Sequence, residues 1–280
     1  MTTFIMDLHQ TIFYGIYVLL PSMAECCAGY CRYLGPVWGP QVNFLILNLN
    51  MSLMGLGLLS LAAYRFFSVY GELKWFETKY SLPCLVVLGI VYSFPTVAAL
   101  VVAMFNQSQQ ELLDLINNES PEYASLVEMG ICASLKTRFR GFLYIGTAAA
   151  QIGFLEFLGF FFSVKTGRML KLIKNSLTAA TYAAHKQLLF TLWLQMLIPI
   201  FTLTTPISVI MVIAIFKIRF LSFFPELAVH LMTLHAPLNG LTIILMIKPY
   251  RDALKKLIMF KSSTLPIQVI QATNTDTMLR

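Results

Sequence analysis

Long apolar runs, spaced along the whole chain by short polar segments, leave it very few folds. They cover about 10–33, 41–66, 83–105, 141–163, 187–215 and 222–247. A helix crosses the hydrocarbon core of a bilayer with roughly 20 mainly apolar residues. It does so because all its backbone polar groups are satisfied within the segment. The 10–33 run is the weakest, since Pro21 and Glu25 interrupt it. Pro95, Pro199, Pro206 and Pro237 would break a soluble helix, but neighbouring helices satisfy the freed carbonyls inside a membrane. Of the 280 residues, 58% are hydrophobic and 12% charged, against about 25% charged in a soluble domain. So large an apolar excess does not fit inside one core, and lipid is the surface it expects. The expected architecture is an all-α polytopic membrane helix bundle of six spans over residues 1–260.

Charge placement orients the bundle. A net charge of +7 in a soluble protein would point to nucleic acid, but these basic residues sit in short loops between apolar runs, and no nucleic acid is expected. Fourteen of the 20 Lys and Arg residues fall in 65–82, 164–186 and 248–280, and six lie on the other side. With six spans, the positive-inside rule places both termini in the cytoplasm. No Lys or Arg precedes the first apolar run, so that run is expected to act as its own insertion signal rather than as a cleaved leader. Two glycosylation sequons, at Asn106 and Asn118, fall in the 106–140 loop assigned to the outside. Asn50-Met51-Ser52 also fits the pattern but lies within a span, where no glycan can be added.

No motif points to catalysis, a cofactor or a metal. Gly55-Leu56-Gly57 lacks the third glycine of a dinucleotide loop, and small residues that let helices approach are the better reading. Five cysteines and four histidines complete no zinc pattern. Cys31 and Cys132 both fall on the outer side, where a disulfide can persist, with Cys26 and Cys27 close enough to compete. Glu156 lies within the fourth run, between Leu155 and Phe157. A carboxylate there must face the bundle interior, be paired or be protonated. It serves either as a ligand or switch residue or as a structural hydrogen-bonding group that can reach toward Lys165. Asn43, Asn48 and Asn50 recur along the second run, and Asn48 and Gln195 can bridge helices. Residues 251–261 alternate lysines with Leu254, Leu257, Ile258 and Phe260. That pattern suits a short helix on an anionic leaflet or a solvated basic tail. Residues 262–280 follow as a cytoplasmic tail containing Ser262, Ser263 and Thr264.

Two stretches carry a family resemblance. His185-Lys186-Gln187 through Gln195-Met196-Leu197-Ile198-Pro199, with Pro206 following, resembles the sixth helix of nematode serpentine chemoreceptors. His235-Ala236-Pro237-Leu238-Asn239-Gly240 through Lys248-Pro249-Tyr250-Arg251 resembles their seventh. Class H is the nearest, with classes I and Str as neighbours. The resemblance implies a rhodopsin-like seven-helix G-protein-coupled receptor, here lacking the first helix. Arg65 matches an arginine at the inner end of the family's third helix, but Ala62-Ala63-Tyr64 stand where an acidic residue is expected. The family's His-Gly pair reads His235-Ala236.

On this reading the chain is a chemosensory receptor, not an enzyme, in the plasma membrane of sensory neurons or their cilia. Its partners would be a small-molecule odorant or other chemical and a heterotrimeric G protein. Helix direction nominates Asn43, Tyr144 and His230 for the ligand, and Glu156 joins them as an acid inside a span. Arg65, Pro249, Tyr250 and Arg251 are nominated for G-protein coupling. A small secondary transporter, expected to show an internal repeat, and a non-signalling structural or truncated membrane protein are the alternatives.

Overall fold

A computed structural model describes residues 2–262 except Pro21, Glu72, Trp75, Asn106, Gln107, Ser120, Lys136, Thr137, Lys217 and Ser222. The Asn106 sequon and the 263–280 tail therefore lie outside the described residues.

The chain opens with helix α1 (Thr2–Leu8), which runs directly into a π-helical turn, His9–Tyr14. Gly15 stops it. The residue sits at φ 53°, and its N–H bonds to Gln10 O, a left-handed cap that favours glycine. A Cβ on Gly15 would lie 2.7 Å from Gly29 N, so the two glycines let the chain cross itself. Strands β1 (Ile16–Leu19) and β2 (Ala24–Cys27) then form an antiparallel hairpin. This corrects the expected span over 10–33. A β-branched stretch bounded by Gly15 on one side and Glu25 on the other loses little by leaving the helix. It also gains a partner from a hundred residues away: β2 pairs with β3 (Cys132–Ser134).

Helix α2 (Val42–Tyr70) follows a π turn at Val37–Gln41, which holds Pro40. Next come α3 (Ser81–Met104), the loop helices α4 (Gln109–Glu119) and α5 (Ala124–Glu128), and α6 (Arg138–Leu172). Helix α7 (Ala179–Pro199) is capped by Thr178, whose hydroxyl accepts from Thr181 N–H. A π turn at Ile200–Thr204 joins it to α8 (Thr205–Phe216). Pro199 ends the regular ladder because it cannot donate, and the wider turn absorbs the mismatch. Helices α9 (Phe224–Thr233) and α10 (His235–Met246) form one broken rod, and α11 (Lys248–Ser262) closes the described chain.

Five helical rods are long and apolar enough to cross a membrane: Val37–Tyr70, Ser81–Met104, Phe139–Leu172, Ala179–Phe216 and Phe224–Met246. Five of the six expected runs lie on these rods. The 34-residue rod from Phe139 is about 51 Å long at 1.5 Å per residue, so it runs well past the hydrocarbon. The expected run there, 141–163, covers only part of it. Large apolar side chains point outward along the rods, with Phe94 69% and Phe157 65% exposed, as lipid-facing surfaces require.

Helix α2 is central, packing on α3, α6 and α7, while α7 also packs on α6 and α10. The three strands, with α4 and α5, cover one end of the bundle, and the described Lys- and Arg-bearing turns, with α11, occupy the other. Helix α1 packs along α2 and α10, and the strands that follow it lie at the sheet end. The expectation that both ends of the chain share one side counted 10–33 as a span, where the described residues form strands instead.

The disulfides also differ from the expected Cys31–Cys132 pair. Cys26 bonds to Cys132 and Cys27 to Cys31. Register decides the first, since Cys26 lies directly opposite Cys132 in the β2–β3 ladder. The short turn at Gly29 brings Cys31 back beside Cys27.

Candidate ligand cavity

Polar side chains clamp the rods together around a hollow. Tyr144 on α6 donates its hydroxyl to Asn48 Oδ1 on α2 at 2.8 Å, and Asn48 Nδ2 donates to Phe44 O. Gln151 joins α6 to α3: its Nε2 donates to Tyr92 O at 2.9 Å, and its backbone carbonyl accepts the Tyr92 hydroxyl. The Thr96 hydroxyl also donates to Gln151. Glu156 accepts from the Thr204 hydroxyl at 2.5 Å, tying α6 to the π turn after Pro199. Such bonds cost little to retain where the alternative is an unsatisfied polar group in hydrocarbon.

Within this frame lie two lobes that share part of their walls. The lower, about 140 Å³, is walled by Gly55, Gln151, Glu156, Met196 and Thr204 among others. The upper, about 170 Å³, is roofed by the hairpin through Ile16, Val18 and Glu25 and floored by Leu47 and Met232. Asn48, Met51, Tyr144, Ile207 and Met211 belong to both. Each volume exceeds by about tenfold the 10–15 Å³ that one water needs. The walls are mostly aliphatic and methionine, with a few fixed polar groups, as in most small-molecule sites. Gly55 matters here because a Cβ would stand 2.6 Å from Leu155 Cδ1. The absent side chain lets α6 close on α2, in keeping with the small-residue reading.

Of the four residues nominated for ligand, Tyr144 and Glu156 line the cavity and two do not. Asn43 is buried at the start of α2 as a staple: its Nδ2 donates to Trp38 O and Gly39 O, and its Oδ1 bonds to His9 Nε2 at 3.0 Å. His230 is exposed on α9, and its neighbours Val229 and Met232 face the upper lobe instead. Helix direction alone could not separate these faces.

Glu25 was legible only as an interruption of an apolar run. It is 5% exposed, and neither carboxylate oxygen completes a hydrogen bond among the described residues. The Tyr14 hydroxyl is the polar group close enough to act on it, without completing a hydrogen bond in geometry. Burial drives the Glu25 carboxyl well above the ordinary carboxylate range, and the Tyr14 hydroxyl opposes that in part.

A second buried cluster links α10 to the π turn. His235 Nδ1 lies 3.3 Å from the Thr202 hydroxyl, and its Nε2 lies 2.9 Å from Asn239 Nδ2. At the basic end, the Arg65 guanidinium stacks on Tyr64. Tyr250 is 55% exposed, Pro249 sits in the first turn of α11, and Arg251 reaches back toward Leu245 O. Asn118 is exposed on α4 at the sheet end. Among the described residues, no group of three His, Cys, Asp or Glu side chains is placed to hold a metal.

The model of the Srh family, serpentine type 7TM GPCR chemoreceptors, matches residues 1–260. The chain belongs to that family. No curated protein and no solved structure matches it. As an Srh chain it is a multi-pass membrane protein of a chemoreceptor family, not of an enzyme family. Of the seven spans that the family name implies, the described residues supply five, beside the short helical stretch Thr2–Tyr14.

Proposed function

We propose that this Srh chain is a chemosensory receptor that binds a small chemical between its helices and signals through a heterotrimeric G protein. The ligand sits in the double-lobed cavity under the hairpin, against Tyr144 and Glu156. The cavity is the observation that carries this reading. It lies between α2, α6 and the π turn after Pro199, so an occupant touches the rods whose relative placement a receptor must change. A ligand shifts such an equilibrium only by its difference in affinity for the two arrangements.

The G protein docks at the basic end, on Arg65, Pro249, Tyr250 and Arg251, with α11 on the inner leaflet and the C-terminus in the cytoplasm. The positive-inside bias supports that orientation. The exposed Asn118 sequon and the two disulfides at the other end agree with it. The receptor acts at the plasma membrane of sensory cells.

The test is ligand-dependent nucleotide exchange on a co-expressed heterotrimeric G protein, with solute flux into vesicles measured in parallel. Exchange without flux is expected. Flux without exchange would establish a transporter instead.

A further inference from the structure

The upper lobe holds a buried acid that nothing in the bundle neutralises. Strand alternation aims it. Ala24 and Cys26 pack toward the loop helices with Leu112 and Ile116, whereas Cys27 packs into the bundle with Tyr14, Leu47 and Met232. Glu25 lies between Ala24 and Cys26 and so shares the face of Cys27. Its cross-strand partner Val18, on that same face, also lines the lobe. No Lys, Arg or His is among the residues lining either lobe. Their acids are Glu25 and Glu156, and Glu156 already accepts from Thr204.

A carboxylate taken out of water without a partner costs several kcal/mol. Such a group keeps its proton until a partner stabilises the ionised form. The remaining wall of the upper lobe is aliphatic, methionine and phenylalanine, with Asn48, Ser134 and Tyr144 as its other polar residues.

We propose that the cavity takes a small apolar monoamine, its ammonium group held by Glu25 beneath the hairpin and its hydrocarbon body lying in the methionine-lined lobe toward Tyr144. This rests on the receptor reading only for the site's role in signalling, not for its chemistry. An ammonium beside Glu25 favours the carboxylate, so the raised carboxyl releases its proton to solvent on binding and both oxygens accept from the ammonium. An anion would meet two acids and no base. A neutral alcohol would gain the hydrocarbon contacts but no charge-assisted bond. Tyr14, Tyr144 and, behind Tyr14, His9 are the titratable groups around Glu25 on the elements packed against it. None of them is an acid or a permanent cation.

The experiment measures binding first and signalling second. Full-length protein in detergent is titrated, at fixed sodium concentration, with hexylamine and phenethylamine and with their isosteres 1-hexanol, 2-phenylethanol and hexanoate. Thermal stabilisation is the readout. The amines are expected to bind at least about tenfold more tightly than their isosteres, the size of one charge-assisted hydrogen bond. Glu25→Gln should abolish that preference, and Glu128→Gln, at an exposed acid of α5 outside both lobes, should leave it. Equal or tighter binding of the alcohols or the acid overturns the proposal, as does failure of both amines to bind or an amine preference that survives Glu25→Gln. Should Glu25→Gln fail to fold, the amine-against-alcohol comparison on unaltered protein decides alone. The same compounds are then run in the exchange assay. Amines that bind but drive no exchange defeat the receptor reading and leave the ligand class standing. Exchange driven by the neutral compounds alone does the reverse.

Discussion

Two glutamates face the same hollow, and the fold treats them in opposite ways. Glu156 sits in the middle of α6 and accepts from Thr204 at 2.5 Å. It is a joint between two rods, and its lobe is bounded by helices alone. Glu25 sits in a strand, outside the five spans, and has no completed bond. Its lobe is roofed by a sheet held from a distance by Cys26–Cys132. The acid embedded in a span is satisfied by its own chain, and the acid under the lid is left open. The two differ in the cost of error. An unsatisfied group at mid-bilayer opposes insertion itself, whereas one beneath a hairpin burdens only the closed lid.

The strongest way to break this contrast is to release the lid. Replacing Cys26 and Cys132 together by Ser removes a link across 106 residues. It should cost about 2–4 kcal/mol, less than the full chain-entropy value because the spans already hold the loop ends near each other. Thermal melting should fall and amine binding should be lost, while the Tyr144–Asn48 clamp persists. The double Ser variant of Cys27 and Cys31, whose loop is four residues long, should lose much less.

Next in size is Thr204→Val, which strips Glu156 of its donor. Leaving that buried acceptor unsatisfied should cost about 1–3 kcal/mol, read as a lower melting temperature. Glu156→Gln keeps an acceptor for Thr204 and should cost less. A Thr204→Val variant as stable as the parent would erase the distinction between the two acids.

Acidity sharpens the contrast without altering the roof. Burial raises the Glu25 carboxyl from 4.5, so the folded state holds a proton that the unfolded chain releases. Stability is therefore fully present below about pH 4.5 and falls, by at most about 1.4 kcal/mol per pH unit, as pH rises toward the raised value. The loss ends once Glu25 is ionised in both states. His9 has the opposite sign, because burial lowers it from 6.5, so its contribution grows as pH rises. The difference in melting temperature between the parent and Glu25→Gln cancels His9. That difference should narrow toward acid pH, and a flat difference would deny the burial of Glu25. The smallest effect is expected of Tyr144→Phe. Its coupling to Asn48, measured by a double-mutant cycle with Asn48→Ala, should be about 0.6 kcal/mol, the usual size for a bond between membrane helices.

Much of the frame was legible before any coordinates. Five rods, the basic loops, the amphipathic α11 and the family resemblance came from runs and motifs that a short window contains. Glu156 was nominated as an acid inside an apolar run and Tyr144 from helix direction, and both line the cavity. Asn43 and His230 were nominated on the same logic and face elsewhere. One is consumed by His9 and the turn at Trp38–Gly39, and the other is exposed on α9, whose Val229 and Met232 face the lobe. Gln151, the clamp between α3 and α6, carried the same signal and was passed over.

The chain's own sequence determined that it is a membrane bundle and where most of its rods lie. Transfer into lipid is summed residue by residue over a local window, so no distant contact is needed to decide it. Only the tertiary structure decided that the 10–33 run is a lid rather than a span, that Cys26 rather than Cys31 meets Cys132, and that Glu25 looks into the hollow. Each of these depends on β3 arriving beside β2 from more than a hundred residues away. That pairing competes with helix formation, and no window short enough to be read by eye contains both partners.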